Sequence, residues 1–250
     1  MRIFPSLIAA ALYAEAMDIR NIVILTGAGI SAESGLSTFR GPDGLWEGHR
    51  VEDVCTPEAF ARDPELVHTF YDARRAKLDE VEPNAAHRAL AHLDQQWPGE
   101  LLLVTQNVDD LHERAGSTRL LHMHGENKKG WCLACGERSS WQGPMGISAA
   151  CPNCGEIGLM RPDIVWFGEM PYEMDRIEEA LRNCDLFVSI GTSGAVYPAA
   201  GYVQTARHRG ARALEMNLEP SLGSLFFNES RVGPASELVP QWVDEVLVAS

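Results

Sequence analysis

The sequence predicts an α/β fold, a doubly wound parallel sheet with smaller inserted modules. Three observations predict it. Short runs of apolar residues recur at 21–26, 100–105, 185–190 and 211–216, with the near-continuous hydrophobicity of strands buried on both faces. Helical patterns separate them, as parallel crossovers require. Each run ends on a polar or glycine cluster, GAG, QNVD, GTS or NLE. In an open parallel sheet that carboxyl edge carries the ligand, and four such ends together mark a Rossmann-like sheet.

The bulk numbers allow one large domain over 1–250 or two small ones. A chain of 250 residues with 45% apolar content can bury a full core. Its formal charge is −14, from 35 acidic against 21 basic residues. That argues against a nucleic-acid or anionic-membrane partner and allows basic ones, such as lysine-rich protein segments. The acidity also serves plain solubility. Four of the six cysteines form two C-x-x-C pairs, the usage of a metal site in a reducing, cytoplasmic compartment. No apolar run reaches the ~18 residues that span a bilayer.

Taken in order, Leu7, Ile8, Leu12 and Met17 fit an amphipathic leading helix; the single Arg2 and early Pro5 make a poor signal peptide. Strand 21–26 runs into Gly27-Ala28-Gly29-Ile30-Ser31 and a helix starting near 32–34. Strand, glycine turn and helix set backbone N–H groups and a helix dipole against a phosphate. The spacing is not G-x-G-x-x-G, so the signal is weak by itself. Residues 40–46 read as a loop, 56–79 as helices broken near Asp63-Pro64, and 83–93 as another helix. A closing helix is expected over 240–248. The Rossmann-like part comprises 18–35, 84–125 and 161–250, with a helical module at 36–83 and a metal module at 126–160.

Cys132 and Cys135, fifteen residues, then Cys151 and Cys154 spell C-x2-C-x15-C-x2-C. Four thiolates at this spacing close a tetrahedral Zn²⁺ shell, so one zinc is expected in a zinc-ribbon module, with a structural role. Between this module and the second strand lies the polar tetrad Gln106, Asn107, Val108, Asp109, with His124 fifteen residues after Asp109. His124 falls in LLHMHG, a strand-like segment that puts His122 on the same face. A neutral imidazole there suits a general base near neutral pH; a His-x-His metal pair is the rival, weakened because four cysteines already complete a shell. His87 and His92 sit on a predicted helix and His208 at a basic helix end, where nothing indicates chemistry.

GAGISAESGLSTFR, TQNVDDLH, HMHG, the paired C-x-x-C motifs, GTS and NLEP occur in this order. With them the chain resembles the sirtuin family of NAD-dependent protein-lysine deacylases, specifically the bacterial and mitochondrial class with a Tyr-x-x-Arg motif, here Tyr71 and Arg74. The resemblance spans nearly the whole chain. It implies that Gly27, Ala28, Gly29 and Ser31 cradle the NAD pyrophosphate. Phe39 and Arg40 would sit in a cofactor loop. Gln106, Asn107, Val108 and Asp109 would bind ribose and nicotinamide, with Asn107 and Asp109 part of the catalytic set. Gly191, Thr192 and Ser193 would contact phosphate and ribose, Asn217, Leu218 and Glu219 the adenosine, and Ala235 the adenine. Phe167, Gly168 and Glu169, with Gly194, Ala195 and Val196, would clamp an acylated peptide as an added strand. In the implied reaction the acyl oxygen attacks ribose C1′ and nicotinamide leaves; His124 deprotonates a ribose hydroxyl, which closes onto the acyl carbon. Water then releases free lysine and O-acyl-ADP-ribose.

Tyr71 and Arg74 share a helix face at i, i+3. An Arg fork plus a Tyr hydroxyl would select an acyl chain ending in an acid, such as succinyl or malonyl, alongside acetyl. Without the resemblance they read as a surface pair on a charged helix. One departure from relatives stands out: 126–131 reads ENKKGW, where an apolar residue near Asn127 or Lys128 is usual, which predicts a looser start to the zinc-module strand. The loop 143–150 is short and rich in Gly and Pro. Two other functions use the same motifs: protein ADP-ribosyl transfer, and NAD sensing without turnover.

Overall fold

The computed structural model describes residues 19–38 and 46–249. The expected leading helix, Phe39 and Arg40 lie outside the described residues. In chain order the elements are β1 (Asn21–Thr26), α1 (Gly29–Ala32), α2 (Val51–Val54), α3 (Pro57–Arg62), α4 (Pro64–Leu78), α5 (Ala85–Gln96) and β2 (Glu100–Thr105). Then come α6 (Leu111–Ala115), β3 (Leu120–His122), β4 (Gly125–Cys132), β5 (Arg138–Ser140), β6 (Met160–Ile164) and α7 (Met174–Asn183). β7 (Leu186–Ile190), α8 (Tyr202–His208), β8 (Arg212–Asn217), β9 (Glu229–Val232) and α9 (Ala235–Ala249) complete the chain.

Six strands form one sheet in the order β3-β2-β1-β7-β8-β9, every pairing parallel. Alternate side chains feed two cores. Ile22, Ile24, Leu101, Leu103, Val188 and Met216 meet α5 and α9 on one face. Val23, Leu25, Leu102, Val104, Phe187 and Ala213 meet α7 and α8 on the other. Burial on both faces is why these strands lack polar alternation. The order reverses between β1 and β7, so the crevice at this switch point opens beyond their carboxyl ends.

The second sheet, β5-β4-β6, is antiparallel. Its last strand reaches Ile164, past the boundary expected at 160. Helices α2–α4 build a separate core, in which Trp46, Cys55, Phe70 and Tyr71 pack with Ile164 and Trp166.

Four expectations need correction. Helix α1 begins at Gly29 instead of near 32 because the Gly29 N–H is already held by the Gly191 carbonyl at 2.9 Å. Helix α9 begins at Ala235, five residues early, with Pro240 inside it. Glu33, from a distant segment, accepts from the Ser236 N–H at 3.0 Å and fixes that start. His122 and His124 do not share a strand: β3 ends at His122, and His124 stands in the turn joining the two sheets. Gly125, at φ +80, makes that turn possible. Finally, the start of β4 is irregular, its pairing with β6 shifting register between Glu126 and Gly130, but its polar residue is buried and pinned instead of loose. Asn127 is 1% exposed, its N–H bonds the Val108 carbonyl at 2.8 Å, and Gly130 gives room to Met145 and Met160.

Candidate functional site

The switch point is lined by backbone. A Cβ on Gly27 would lie 2.8 Å from the Gly191 carbonyl oxygen, and one on Gly29 would lie 2.7 Å from the Gly191 Cα. Gly191 itself has φ +64. Only glycines let these two loops touch, and their contact leaves a cradle at a helix start where a pyrophosphate fits. Thr192 is buried and Ser193 exposed. Asn217 braces the loop through Nδ2, which donates to the Thr192 carbonyl at 2.9 Å. Leu218 and Glu219 are exposed at the rim, and Ala235 is buried at the start of α9.

Ser31 joins the glycine turn to the tetrad. Its hydroxyl donates to the Asp109 carboxylate at 3.0 Å and accepts from Asn107 Nδ2 at 3.1 Å. Asn107 Nδ2 also lies 3.2 Å from the Gly27 carbonyl. Burial pushes the Asp109 carboxyl upward, against the bonds from the Leu111 N–H and Ser31. Gln106 lines an open cleft shared with Thr192, Gly194 and Val196.

Two histidines hang from consecutive carbonyls of this tetrad. His124 Nδ1 sits 3.2 Å from the Gln106 oxygen and His122 Nδ1 3.1 Å from the Asn107 oxygen. A carbonyl only accepts, so each Nδ1 carries the proton. Their second nitrogens differ. His122 Nε2 meets Glu113 at 2.7 Å. Burial works to lower its pKa, but the Glu113 carboxylate outweighs burial and the net direction is up. For His124 burial lowers the pKa over the Gln106 bond, leaving a neutral imidazole with a free Nε2 lone pair, the form a general base needs. Among the described residues His124 belongs to no cluster of metal-ligating groups. His122 lies with Glu113 and Glu126, a set already closed by the His122–Glu113 bond and a Glu126–Lys129 ion pair.

Helix α4 carries Tyr71 and Arg74. Tyr71 is fully buried; its hydroxyl donates toward Cys55 Sγ at 3.4 Å and accepts from Trp166 Nε1 at 3.0 Å. Arg74 lies over the Trp46 ring at 4.1 Å and reaches Glu47 only at 3.5 Å. Its Nε is buried with no hydrogen-bond partner among the described residues. Burial lowers its pKa, opposed by Tyr71, Glu47 and Asp109. It is thus a buried cation held by stacking on Trp46 and by the Glu47 ion pair, within electrostatic reach of Asp109 in the tetrad.

Past β6, Phe167 is 40% exposed. The Glu169 carboxylate turns inward, chelated by Arg161 at 2.6 and 2.9 Å and by the Trp166 N–H at 2.8 Å. Glu169 therefore shapes the 167–169 loop from beneath.

The four cysteines of the ribbon come together, all within 4.8 Å. Cys132–Cys154 and Cys135–Cys151 sulfurs are 3.8 Å apart. A tetrahedron with Zn–S of about 2.3 Å has an edge of about 3.75 Å, so the set fits one zinc. Gly136 and Gly155, at φ +77 and +78, turn the chain after each pair.

Sequence reading missed a buried polar layer behind the tetrad. Thr26 and Thr105, ending β1 and β2, share a hydrogen bond of 2.9 Å, and His112 Nε2 joins Thr26 at 3.0 Å. The His87 ring lies 4.9 Å from that of His112, with Nε2 3.4 Å from Ser31 Oγ. Burial holds His112 well below the usual imidazole range and His87 at about 4. The available signal was position: His112 closes the same polar run as Asp109, and His87 is third in the helix that Asn84 caps.

Comparison with known proteins agrees with this geometry. The Sir2 family profile matches residues 27–198. An NAD-dependent protein deacylase of Bdellovibrio bacteriovorus is 56% identical over 236 residues, covering 92% of this chain and 100% of that protein. A solved Sir2 homolog–NAD complex aligns with a TM-score of 0.86 at 37% identity, covering 100% of this chain and 96% of the other. A mutant Sir2 homologue with 2'-O-acetyl ADP-ribose gives 0.86 at 36% identity, covering 99% and 98%. The chain belongs to the Sir2 family, the sirtuins.

Proposed function

We propose that this chain removes acyl groups from protein lysines with NAD, releasing nicotinamide and O-acyl-ADP-ribose. The observation that carries the reading is His124, neutral and anchored through Nδ1 on the tetrad, beside a glycine cradle that fits a dinucleotide.

Bound NAD supplies an electrophilic ribose carbon and a leaving group. The residues do the rest. The Gly27–Ala28–Gly29 turn, Gly191 and Thr192 hold the phosphates. Asn107 and Asp109 orient the ribose and the carboxamide, an amide meeting paired donor and acceptor. His124 Nε2 takes the proton of a ribose hydroxyl, whose oxygen then closes on the acyl carbon. Phe167, Gly168, Gly194 and Val196 seat the peptide backbone, and four cysteines hold a zinc that has no open coordination position and so supports the fold alone. The six cysteines are all free of disulfides, which supports a cytoplasmic setting. No described helix is long and apolar enough to cross a membrane.

The acyl preference follows from Arg74. A buried guanidinium whose Nε has no partner among the described residues, and whose one ion pair there is a 3.5 Å contact to Glu47, favours an added carboxylate, so succinyl and malonyl chains are substrates beside acetyl. Rates on succinyl- and acetyl-lysine peptides, before and after Arg74→Met, test this. The succinyl-to-acetyl ratio is expected to fall at least tenfold, on the order of one charge-assisted hydrogen bond. An unchanged ratio contradicts the assignment.

A further inference from the structure

Asn127 lies between the tetrad and helix α4 and touches both. Its N–H donates to the Val108 carbonyl at 2.8 Å. Its side-chain Nδ2 donates to the Tyr71 carbonyl at 3.3 Å. Its own carbonyl accepts from Arg75 Nε at 2.7 Å. Arg75 continues the link: Nη1 pairs with Asp72 at 2.5 Å and donates to the Gly143 carbonyl at 3.0 Å. Asp72 in turn accepts from the Met145 and Gly146 N–H groups at 2.9 and 3.2 Å. Arg75 is 2% exposed, so this is a buried connection and not the charged surface that the sequence around it suggests.

Packing alone does not explain an amide here. Asn127 Oδ1 and Arg75 Nη2 are both buried without a hydrogen-bond partner among the described residues, and an unpaired buried polar atom costs stability. A leucine of similar volume would leave no such atom at 127. What asparagine supplies and leucine lacks is a directed bond to the backbone of the residue three before Arg74. Tyr71 itself is immobilised at the hydroxyl end by Cys55 and Trp166. The Asn127 bond holds the other end of that residue at a fixed distance from Val108, the middle of the catalytic wall.

We propose that Asn127 is a positioning residue for acyl selectivity. It sets the spacing between α4 and the tetrad, so that Arg74 reaches a terminal carboxylate while the acyl carbon stands at the ribose. The proposal rests on the reading of Tyr71 and Arg74 as the acid-acyl site.

The test is steady-state kinetics on succinyl- and acetyl-lysine peptides of one sequence for the zinc-loaded wild type, Asn127→Leu, Asn127→Asp and Arg74→Met. Asn127→Asp keeps the shape but cannot donate to the Tyr71 carbonyl, and it carries the comparison if the leucine variant fails to fold. Both Asn127 variants are expected to raise KM for succinyl-lysine about tenfold, with kcat and the acetyl-lysine KM within about twofold of wild type. Equal losses on both peptides, or a succinyl KM that does not move, would overturn the role of Asn127 while an Arg74→Met collapse of the ratio leaves the acid-acyl site standing. A ratio untouched by Arg74→Met would overturn both.

Discussion

The catalytic wall and the helix that faces it are built on opposite principles. The wall consists of strand ends: glycines, short polar side chains and two histidines hung on successive carbonyls. Each part is a short run of residues at a strand end, shaped by backbone geometry, and the runs meet through bonds such as Ser31–Asp109 and Asn107–Gly27, 78 and 80 positions apart. The α4 side depends on buried charge and long-range contacts. Arg75 reaches residues 52 and 68 positions away, and Tyr71 reaches Trp166, 95 positions away. The first arrangement can be written as a few short motifs. The second exists only after the zinc module has folded against the helix.

That contrast gives a ranking of effects. Breaking the wall should matter most. His124→Ala should cut kcat by roughly 10²–10⁴, the usual contribution of a general base, while zinc content and melting temperature stay at wild-type values. A variant of normal activity would remove His124 from the chemistry. Removing the metal comes next. Cys151→Ser or strong chelation should release one zinc per chain and unfold β4–β6, followed by circular dichroism. Because α4 leans on that module through Asp72 and Arg75, acyl selectivity should be lost with it.

Proton linkage acts on the wall from behind. Unfolded, His87 titrates near the ordinary 6.5; folded, it stays neutral down to about 4. Below pH 6.5 the unfolded chain therefore binds a proton that the fold refuses. Stability should fall as pH drops from 6.5 to about 4, by up to roughly 1.4 kcal/mol per pH unit for this group. His112, displaced in the same direction, adds to the loss. Denaturant melts across this range check the slope, and a His87→Gln variant should flatten part of it. The catalytic acid limb is a smaller effect. Since burial lowers the His124 pKa, kcat/KM should hold level through neutrality and decline only below the ordinary imidazole value of 6.5. A decline setting in above 6.5 would contradict the neutral-base account.

Much of this was readable from residues alone. The four core strands, their polar ends and the cysteine spacing are local features, and each keeps its predicted place. What escaped prediction was set by distant partners. Glu33 starts α9 five residues before the sequence suggests. Asn127 looked like a polar flaw in a strand and is instead buried between Val108 and Tyr71. Arg75 looked like part of a solvated face and is among the largest fully buried side chains. His87 and His112 showed only a positional signal, because their partners Ser31 and Thr26 come from the distant β1–α1 segment.

The central claim is that this wall couples NAD cleavage to deacylation of lysine. Its most direct test follows the acyl group by mass spectrometry, with an acylated lysine peptide, NAD and the zinc-loaded protein. The account predicts one nicotinamide and one O-acyl-ADP-ribose for every peptide deacylated, and O-acyl-ADP-ribose formation slowed by roughly 10²–10⁴ with His124→Ala. Free carboxylic acid formed without NAD, or a peptide that gains ADP-ribose and keeps its acyl group, would contradict it.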